Sequence, residues 1–348
     1  MFQRAAMRFV ASRQPRRRDH FLMNPAASES VRHAVRVDSA LAGARLDQAL
    51  AALLPEFSRS RLQQWIESGQ VLVNDAPRRC RDKVWDGDAI RLDALLAASD
   101  ACTAQDIALD LVHEDAHLLV INKPAGLVVH PAAGNPDGTL QNALLHHAPE
   151  LAKVPRAGIV HRLDKDTSGL LVVARTLAAH KSLVEQLQAR RVHREYRALA
   201  VGELVTGGRI DAPVGRHPTQ RIRMAVVPHG RPAVTHYRVL ERYPGHTLLG
   251  VELETGRTHQ IRVHLTHLHH PLVGDRTYGG RPRPPRGCAA ELTLELQAFP
   301  RQALHAIRLG LNHPASGEAM VWEIPIAPDL EALLDLFRRE AKVGTDSP

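Results

Sequence analysis

The sequence is poor in cysteine, in aromatic residues and in long hydrophobic runs. Its 348 residues include three cysteines, Cys80, Cys102 and Cys288, which lie far apart in the chain. This spacing argues against a disulfide framework and against a cysteine-rich zinc site, and it fits a reducing compartment such as the cytoplasm. No apolar run approaches the ~20 residues that span a bilayer, and the first residues lack the apolar segment of a secretory signal. Aromatic residues make up only 4% of the chain, so a core must be mainly aliphatic.

The formal charge of +8 suggests an anionic partner, for which RNA is a common candidate. The charge is unevenly placed, because residues 1–33 carry seven arginines and only two acidic residues. Residues 34–99 carry nine residues of each sign, and residues 100–348 carry 29 basic and 26 acidic residues. The regularly patterned part of the chain is therefore nearly balanced, and its net charge does little to identify an RNA-binding protein.

Length and patterning predict two domains with flanking segments. The predicted segments are a disordered basic tail at 1–33, a small module at 34–93, a linker at 94–106, a larger domain at 107–340 and a tail at 341–348. The first tail has three alternative interpretations: a segment upstream of a true start at Met23, an RNA-binding arm and an organelle transit peptide.

The larger domain has many short apolar runs and few helical patterns. Strands are predicted at residues 109–113, 118–122, 158–161, 170–175, 195–201, 234–240, 247–254, 305–311 and 320–323. Helices are predicted at residues 139–147, 177–189, 258–267 and 329–339. The two types do not alternate regularly, which favours an α+β fold over a sheet built from β-α-β units.

The small module begins with two helical patterns and continues with strands. Apolar residues recur at helical spacing in 46–54, Pro55 ends that helix, and Ser58 could cap a second one. A strand with a tight turn is predicted at 71–75, and a last strand at 89–92. Basic residues lie on the second helix and in the loop after the first strand: Arg59, Arg61, Arg78, Arg79, Arg81 and Lys83.

Motifs in this module resemble those of the alpha-L RNA-binding domain, which a ribosomal protein shares with several RNA-modifying enzymes. The matching pieces are Arg45-Leu46-Asp47, Ser58-Arg59-Ser60-Arg61, residues 66–74 and Gly87-Asp88. The resemblance implies that the basic helix face, with Arg59 and Arg61, and the adjoining loop, with Arg78, Arg79 and Arg81 as further candidates, contact the RNA backbone. An ordinary solvated helix face is the alternative interpretation.

Two groups of histidines raise the possibility of a metalloenzyme. Residues 113–117 match the zinc-protease pattern H-E-x-x-H, but that site needs a helix, and these residues lie between two strand-like runs. Glu114-Asp115 is typical of a hairpin turn there. A second group at residues 264–270 has no acidic residue or cysteine nearby to complete a familiar zinc site. We therefore predict no metal.

A polar segment between two apolar runs carries the main chemical signal. Residues 161–168 include His161, Arg162 and Asp164, and residues 170–174 are apolar. Polar side chains between buried strands are unfavourable unless they are paired or functional. The residues alone leave two interpretations open: a turn in which Asp164 caps backbone amides, or a catalytic site.

Residues 158–174 resemble the signature of the RNA pseudouridine synthases, which act on uridines in ribosomal and transfer RNA. Further matches follow in the order typical of that family, at residues 123–130, 194–196, 254–264, 271–275, 304–306 and 313–314. The resemblance extends over residues 107–338. It implies a catalytic domain with a mixed, largely antiparallel central sheet flanked by helices.

This resemblance implies an isomerase that detaches uracil from its ribose nitrogen, turns it and rejoins it through a ring carbon, without a cofactor. The catalytic aspartate of the family falls on Asp164, and Arg262 is expected to pair with its carboxylate and keep it ionised. Tyr196 is expected to stack on the base and to act as an acid or base late in the reaction. Attack on the sugar, attack on the base and removal of a sugar proton all remain open as the role of the carboxylate.

The resemblance further implies contacts with structured RNA. Arg162 is expected to hold the target uridine outside its stem or loop, while Arg257, His259 and Arg216 are candidate RNA contacts. Ordinary surface charge is an equal alternative for Arg216. The expected partner is ribosomal RNA of the large subunit or its precursor particle, with no membrane and no obligate protein partner. A non-catalytic RNA-binding or ribosome-assembly protein is the main alternative class, although it would have no use for the catalytic set.

Overall fold

A computed structural model describes residues 30–54, 57, 59–95, 102–132, 134–220 and 222–345. Contacts within the chain divide it into two compact units, Met1–Ala101 and Cys102–Pro348. Residues 1–29 of the predicted tail and the predicted capping residue Ser58 lie outside the described residues. Among the helices of these ranges, none has both the length and the hydropathy that crossing a membrane requires.

The N-terminal unit is an antiparallel sheet with two helices. Its elements are β1 (Ser30–Arg36), α1 (Leu46–Leu53), α2 (Arg59–Glu67), β2 (Val71–Val73), β3 (Ala76–Pro77) and β4 (Ala89–Leu95). The strands lie in the order β1-β4-β2-β3. The predicted helices and the two predicted strands are confirmed, since the apolar positions that indicated them, such as Leu50, Leu62 and Val71, form the buried core of this unit.

Strand β1 corrects the predicted boundary between tail and module. It pairs along its whole length with β4, so that Ser30 lies opposite Leu95 and Arg36 opposite Ala89. The predicted tail is therefore wrong over residues 30–33, and the predicted linker begins too early, because β4 continues to Leu95. Val31 and Val35 are only partly buried at this sheet edge, and such a weak alternation among arginines gave no clear strand signal.

A buried carboxylate joins the two helices of the N-terminal unit. The Asp47 side chain is fully buried and accepts hydrogen bonds from Arg45, from Arg59 at 2.7 Å and from Gln63 at 2.6 Å. Burial alone would raise the pKa of Asp47, but the bonds from Arg59, Gln63 and Arg45 lower it to about 2. Arg59 thus stabilises this fold. Its side chain is 46% exposed, so that it also remains accessible to RNA, and its contact with RNA stays a prediction.

The second unit is built on one large sheet. Its strands are β5 (Leu111–Glu114), β6 (Leu118–Lys123), β7 (Ser168–Ala174), β8 (His193–Val201), β9 (Gly208–Asp211), β12 (Val234–Tyr243), β13 (His246–Leu253), β14 (Leu304–Asn312) and β15 (Ala319–Glu323). They lie in the order β5-β6-β7-β14-β8-β13-β12-β9, with β15 also on β14. Only β7 and β14 run parallel among these pairs, which confirms the mixed, largely antiparallel sheet. Two short strands, β10 (Val214–Arg216) and β11 (Met224–Val226), form a separate hairpin.

Helices cover both faces of the large sheet. They are α3 (Leu140–His147), α4 (Leu177–Gln188), α5 (Gln260–His267), α6 (Ala290–Ala298) and α7 (Pro328–Thr345). Alternation along β6 shows the two layers: Leu119 and Ile121 belong to the cluster that includes α3 and α5, whereas Leu118 and Val120 belong to the cluster that includes α4. The four predicted helices are confirmed, although α7 continues five residues beyond the predicted end of the domain at residue 340.

The predicted strand at residues 158–161 is wrong. Pro155–Gly158 forms a short 3-10 turn in which Arg156 and Ala157 have positive φ angles of 55° and 51°. Only Ile159 pairs with the sheet, through an isolated bridge to Val173. Gly158 is required at this close approach, because a Cβ there would lie 1.8 Å from the carbonyl oxygen of Ala174. The apolar run is thus a tight connection that lies against β7.

Candidate active site

Asp164 and Arg262 form an ion pair although 98 residues separate them in the sequence. Asp164 follows the tight connection before β7, and Arg262 lies in the first turn of α5. Nη1 of Arg262 donates to Oδ2 of Asp164 at 3.0 Å, and the Asp164 side chain remains 15% exposed. The structure therefore presents a largely desolvated carboxylate with a fixed cation beside it.

A second carboxylate holds Arg262 in place. Asp275 is fully buried at its side chain and accepts from Nε and Nη2 of Arg262, at 2.7 and 2.9 Å. Oδ1 of Asp275 also accepts the backbone N–H groups of Thr277 and Tyr278. Burial alone would lower the pKa of Arg262, but its bonds to Asp275 and Asp164 raise it above the usual value. Arg262 consequently stays charged and points one guanidinium nitrogen at Asp164.

An aromatic ring and a histidine complete the surroundings of this pair. The guanidinium of Arg262 lies 5.0 Å from the ring centre of Tyr278. The Tyr278 hydroxyl accepts the backbone N–H of Met224 at 2.9 Å and bonds to Nδ1 of His259. The other ring nitrogen of His259 lies 3.9 Å from Asp164. Burial lowers the pKa of His259, and the ring is therefore mainly neutral near pH 7.

A buried lysine fixes the loop that carries Asp164. Lys123, at the end of β6, is 0% exposed, and its Nζ donates to the carbonyl oxygens of Pro124, Leu127 and Lys165 at 2.7–2.9 Å. Burial lowers the pKa of Lys123 to about 7, whereas three carbonyl acceptors favour the ammonium form with its three donors. Because Lys165 directly follows Asp164, these bonds restrict the position of the carboxylate.

A cavity of about 650 Å³ opens over the ion pair. It is lined by seven arginines and two carboxylates, Asp164 and Glu254. The arginines are Arg156, Arg162, Arg190, Arg194, Arg231, Arg257 and Arg262. Apolar side chains from α4, such as Val184 and Leu187, form part of the wall. The site combines positive charge with a partly apolar interior, which suits an anionic polymer that inserts one planar base.

Tyr196 lies in the same cavity, on the central strand β8. It is 5% exposed, and its hydroxyl has no hydrogen-bond partner within the described part of the chain. Burial raises the pKa of Tyr196 despite the nearby positive charge of Arg194. The hydroxyl is therefore protonated at neutral pH and is able to donate.

The predicted site residues fall into two groups in the structure. Six of them line one cavity: Asp164, Tyr196, Arg262, Arg162, Arg257 and His259. Arg216 does not line that cavity and lies exposed on β10, while Arg59 and Arg61 lie on α2 of the other unit. Three further groups at the site were not predicted: Asp275, Tyr278 and Arg194. Asp275 and Arg194 belong to the matched motifs at residues 271–275 and 194–196, but neither motif indicates where its side chains point, and Tyr278 lies outside the matched motifs.

The histidine motifs do not form a metal centre in the described ranges, where no group of three or more potential ligands converges. As predicted, Asp115 is the turn of a hairpin between β5 and β6, and its carboxylate accepts the N–H groups of His117 and Leu118. His264 is buried and bonds to Thr235 and to the carbonyl oxygen of Ala212. These histidines have structural partners.

Comparison with protein families gives one match in each of the two units. Residues 44–89 match the S4 domain, and residues 117–267 match the RNA pseudouridylate synthase family. Ribosomal large subunit pseudouridine synthase D of Pseudomonas aeruginosa is 57% identical over 319 residues, which is 91% of this chain and 100% of that protein. The protein of the same name from Escherichia coli K12 is 53% identical over 308 residues, 87% of this chain and 94% of that protein.

Two solved structures with RNA pseudouridylate synthase domains are also similar to this chain, at lower sequence identity. Human RNA pseudouridylate synthase domain containing 1 is 28% identical with a TM-score of 0.50, over 70% of this chain and 98% of that chain. Human RNA pseudouridylate synthase domain containing 4 is 27% identical with a TM-score of 0.51, over 66% of this chain and 93% of that chain. Both similarities agree with a mixed sheet flanked by helices.

Proposed function

The chain belongs to the RNA pseudouridine synthase family of isomerases, and we propose that it converts specific uridines of large-subunit ribosomal RNA into pseudouridine, with Asp164 as the catalytic group. The observation that carries the proposal is the Asp164–Arg262 ion pair in the arginine-lined cavity. The S4 domain and the names of the relatives support ribosomal RNA as the substrate. A ribosomal substrate would also place the protein in the cytoplasm.

The reaction balances within the substrate, because uridine and pseudouridine are isomers. The bond from N1 of uracil to C1′ of the ribose breaks, the base turns, and a bond from C5 to C1′ forms. The proton on C5 is lost, and N1 gains one. No oxidant, reductant or further reactant enters this balance, so we expect neither a metal nor an organic cofactor. The protein has to supply an ionised carboxylate, a cation to keep it ionised, and a group that moves a proton.

The cavity supplies these groups in positions that fit their proposed roles. Asp164 would attack the sugar or the base, or remove the proton on C2′, and all three routes need the carboxylate that Arg262 stabilises. Tyr196 would stack on the uracil, and its hydroxyl would donate to the base or to a water molecule. Because Asp164 is only 15% exposed, a paired uridine has to leave its helix to reach it.

Arg162 is proposed to stabilise the flipped-out state of the RNA. It lies exposed at the cavity, two residues before Asp164. A long, planar guanidinium can fill the space that the uridine leaves and contact the neighbouring bases. Extruding a base costs a few kcal/mol and costs least where the base is already unpaired. The contribution of Arg162 should therefore depend on the structure of the RNA.

We expect Arg162→Met to reduce activity strongly on a folded stem-loop and much less on a short unstructured strand with the same uridine. The measurement is the single-turnover rate of pseudouridine formation on both RNAs. Arg175→Met serves as the control, because Arg175 pairs with Glu114 and Glu150 and does not line the cavity. Equal losses on both RNAs would instead assign Arg162 to direct support of the Asp164 carboxylate.

The loop between β3 and β4 is proposed to bind RNA phosphates. Its residues Arg78 and Arg79 are exposed and border a cavity of about 640 Å³ in the N-terminal unit. Each phosphate contact contributes ~0.7–0.9 to the slope of log K against log salt concentration. We expect the Arg78→Gln/Arg79→Gln variant to reduce this slope by about 1 to 2, without changing the rate at saturating RNA.

The control for this slope removes the same charge elsewhere in the unit. Arg32 and Arg91 are exposed and paired with Asp93 and Asp75. The Arg32→Gln/Arg91→Gln variant should keep the wild-type slope, measured by RNA binding at several salt concentrations. If both double variants have the wild-type slope, the N-terminal unit does not bind RNA through this loop.

Mapping of pseudouridines tests the function itself. Ribosomal RNA from cells with and without the gene is compared at single-nucleotide resolution, and purified protein is then added to the unmodified RNA. We expect pseudouridines in the large-subunit RNA to disappear with the gene and to return with the wild-type protein. An unchanged set of pseudouridines in large-subunit RNA would contradict the proposed substrate.

A further inference from the structure

Arg194 is a buried cation without an acidic partner in the part of the chain that the structure describes. It is 7% exposed, its Nε has no hydrogen-bond partner, and its Nη2 makes one long bond of 3.4 Å to the carbonyl oxygen of Leu253. The other buried arginines of this unit differ, since Arg262 and Arg301 each bind an aspartate through two nitrogens. Arginine is rarely buried unless it is paired. Arg194 is therefore placed for a partner that comes from outside the chain.

Arg194 lines the active-site cavity. Arg194 lies two residues before Tyr196 on β8, so both side chains point to the same face of the sheet, and both line the cavity. A Cβ at Gly256 would lie 2.9 Å from Nη1 of Arg194, and glycine thus leaves room for the guanidinium. Burial lowers the pKa of His161 to about 3, and Arg194 adds to this effect. The His161 ring is therefore neutral and does not compete with Arg194 for an anionic ligand.

Building on the proposed function, we propose that Arg194 is a catalytic residue that donates hydrogen bonds to a carbonyl oxygen of the target uracil and stabilises the negative charge on the detached base. When the bond between N1 and C1′ breaks, its electron pair stays on the base and is shared between N1 and the carbonyl oxygens. The charge disappears when C5 bonds to C1′. C5 then loses its proton and N1 gains one, so that the base is neutral again at the end of the reaction. Arg194 gains and loses no proton in this sequence.

An RNA phosphate is the other anion that Arg194 could bind, but its position favours the base. Exposed arginines already line the cavity and suit phosphates: Arg156, Arg162, Arg190 and Arg231. Arg194 is buried beside Tyr196, the residue proposed to stack on the uracil. A preorganised donor in a desolvated site also stabilises developing charge far more than one in water.

The test measures rate and affinity separately, with the full-length protein and a ribosomal RNA fragment that the wild type modifies. Removing a preorganised donor to a developing anion reduces catalysis by about 10²–10³-fold, and we expect this loss in the single-turnover rate of Arg194→Met. The RNA Kd should stay at the wild-type value. Arg194→Lys keeps the charge, and its single-turnover rate should lie between those of the wild type and of Arg194→Met. If Arg194→Met does not fold, the rate of Arg194→Lys tests the proposal.

The control is Arg197→Met on the same strand, since Arg197 pairs with Glu195 and does not line the cavity. Its rate and Kd should match the wild type. A wild-type rate for Arg194→Met and Arg194→Lys would overturn the inference, as would a loss confined to Kd. Failure of the wild type to form pseudouridine would instead contradict the proposed function, so the two failures are distinguishable.

An RNA with a neutral backbone at the target uridine shows whether Arg194 binds the base or a phosphate. The phosphates on either side of the target uridine are replaced by methylphosphonates, and the rates of wild type and Arg194→Met are compared on both RNAs. If Arg194 binds the uracil, the two changes are independent and their effects multiply. If the methylphosphonates slow only the wild type, Arg194 binds a phosphate and the inference is wrong.

Discussion

Asp164→Asn is expected to abolish pseudouridine formation while folding and RNA affinity remain intact. The substitution keeps the size of the side chain and removes the negative charge that each of the three open routes requires. Asparagine can still accept the hydrogen bond from Nη1 of Arg262, so the loop should keep its position. We expect a loss of at least about 10³-fold in the single-turnover rate, because no other group can replace an essential carboxylate.

The matched control for Asp164→Asn is Asp166→Asn. Asp166 is in the same loop but does not line the cavity, and its backbone carbonyl, rather than its carboxylate, accepts a bond from Arg301. The control should retain the wild-type rate, and thermal unfolding and RNA binding should be the same for both variants. A rate for Asp164→Asn within about tenfold of wild type, equivalent to ~1.4 kcal/mol of barrier, would rule out Asp164 as the essential group.

The composition of the site depends on contacts that no local pattern specifies. From the residues alone, the polar segment around Asp164 is also consistent with a capped turn, because Arg262, the partner that distinguishes a catalytic site from such a turn, is 98 residues away. The family resemblance supplied Arg262 as that partner. It did not supply the roles of Asp275 or Arg194, since periodicity and spacing do not show that Asp275 lies behind Arg262 or that Arg194 forms no ion pair among the described residues.

Several of the elements that the sequence predicts correctly have long apolar patterns. Helices α4 and α7 each bury one face at helical spacing, and β8 alternates between buried and less buried residues in its first half. Strand β13 instead buries six consecutive residues, His246–Val251, on both faces. The missed strands β9, β10 and β11 have three or four residues each, too few for alternation to be visible. Helix α6 was also missed, since only Leu292 and Leu296 among its residues are buried.

The aspartate behind Arg262 allows stability and catalysis to be separated by mutation. Arg262→Met removes the cation from two carboxylates and leaves the fully buried Asp275 without its charged partner. Breaking a buried pair in this way lowers the free energy of unfolding by roughly 3–5 kcal/mol. We also expect the single-turnover rate to fall by about 10²–10³-fold, since a fixed charge is lost from the site. Denaturant unfolding and pseudouridine formation measure the two effects.

A second substitution, Asp275→Asn, should restore the stability of Arg262→Met but not its activity. In Arg262→Met/Asp275→Asn no unpaired charge is buried behind Asp164, and the asparagine oxygen can still accept the N–H groups of Thr277 and Tyr278. The free energy of unfolding should therefore recover much of its loss, whereas the rate should stay as low as in Arg262→Met, because Asp164 still lacks its cation. If activity recovers together with stability, Arg262 is needed only for folding and does not act on Asp164 in the reaction. The double variant thus decides whether the ion pair is part of the chemistry or only of the scaffold.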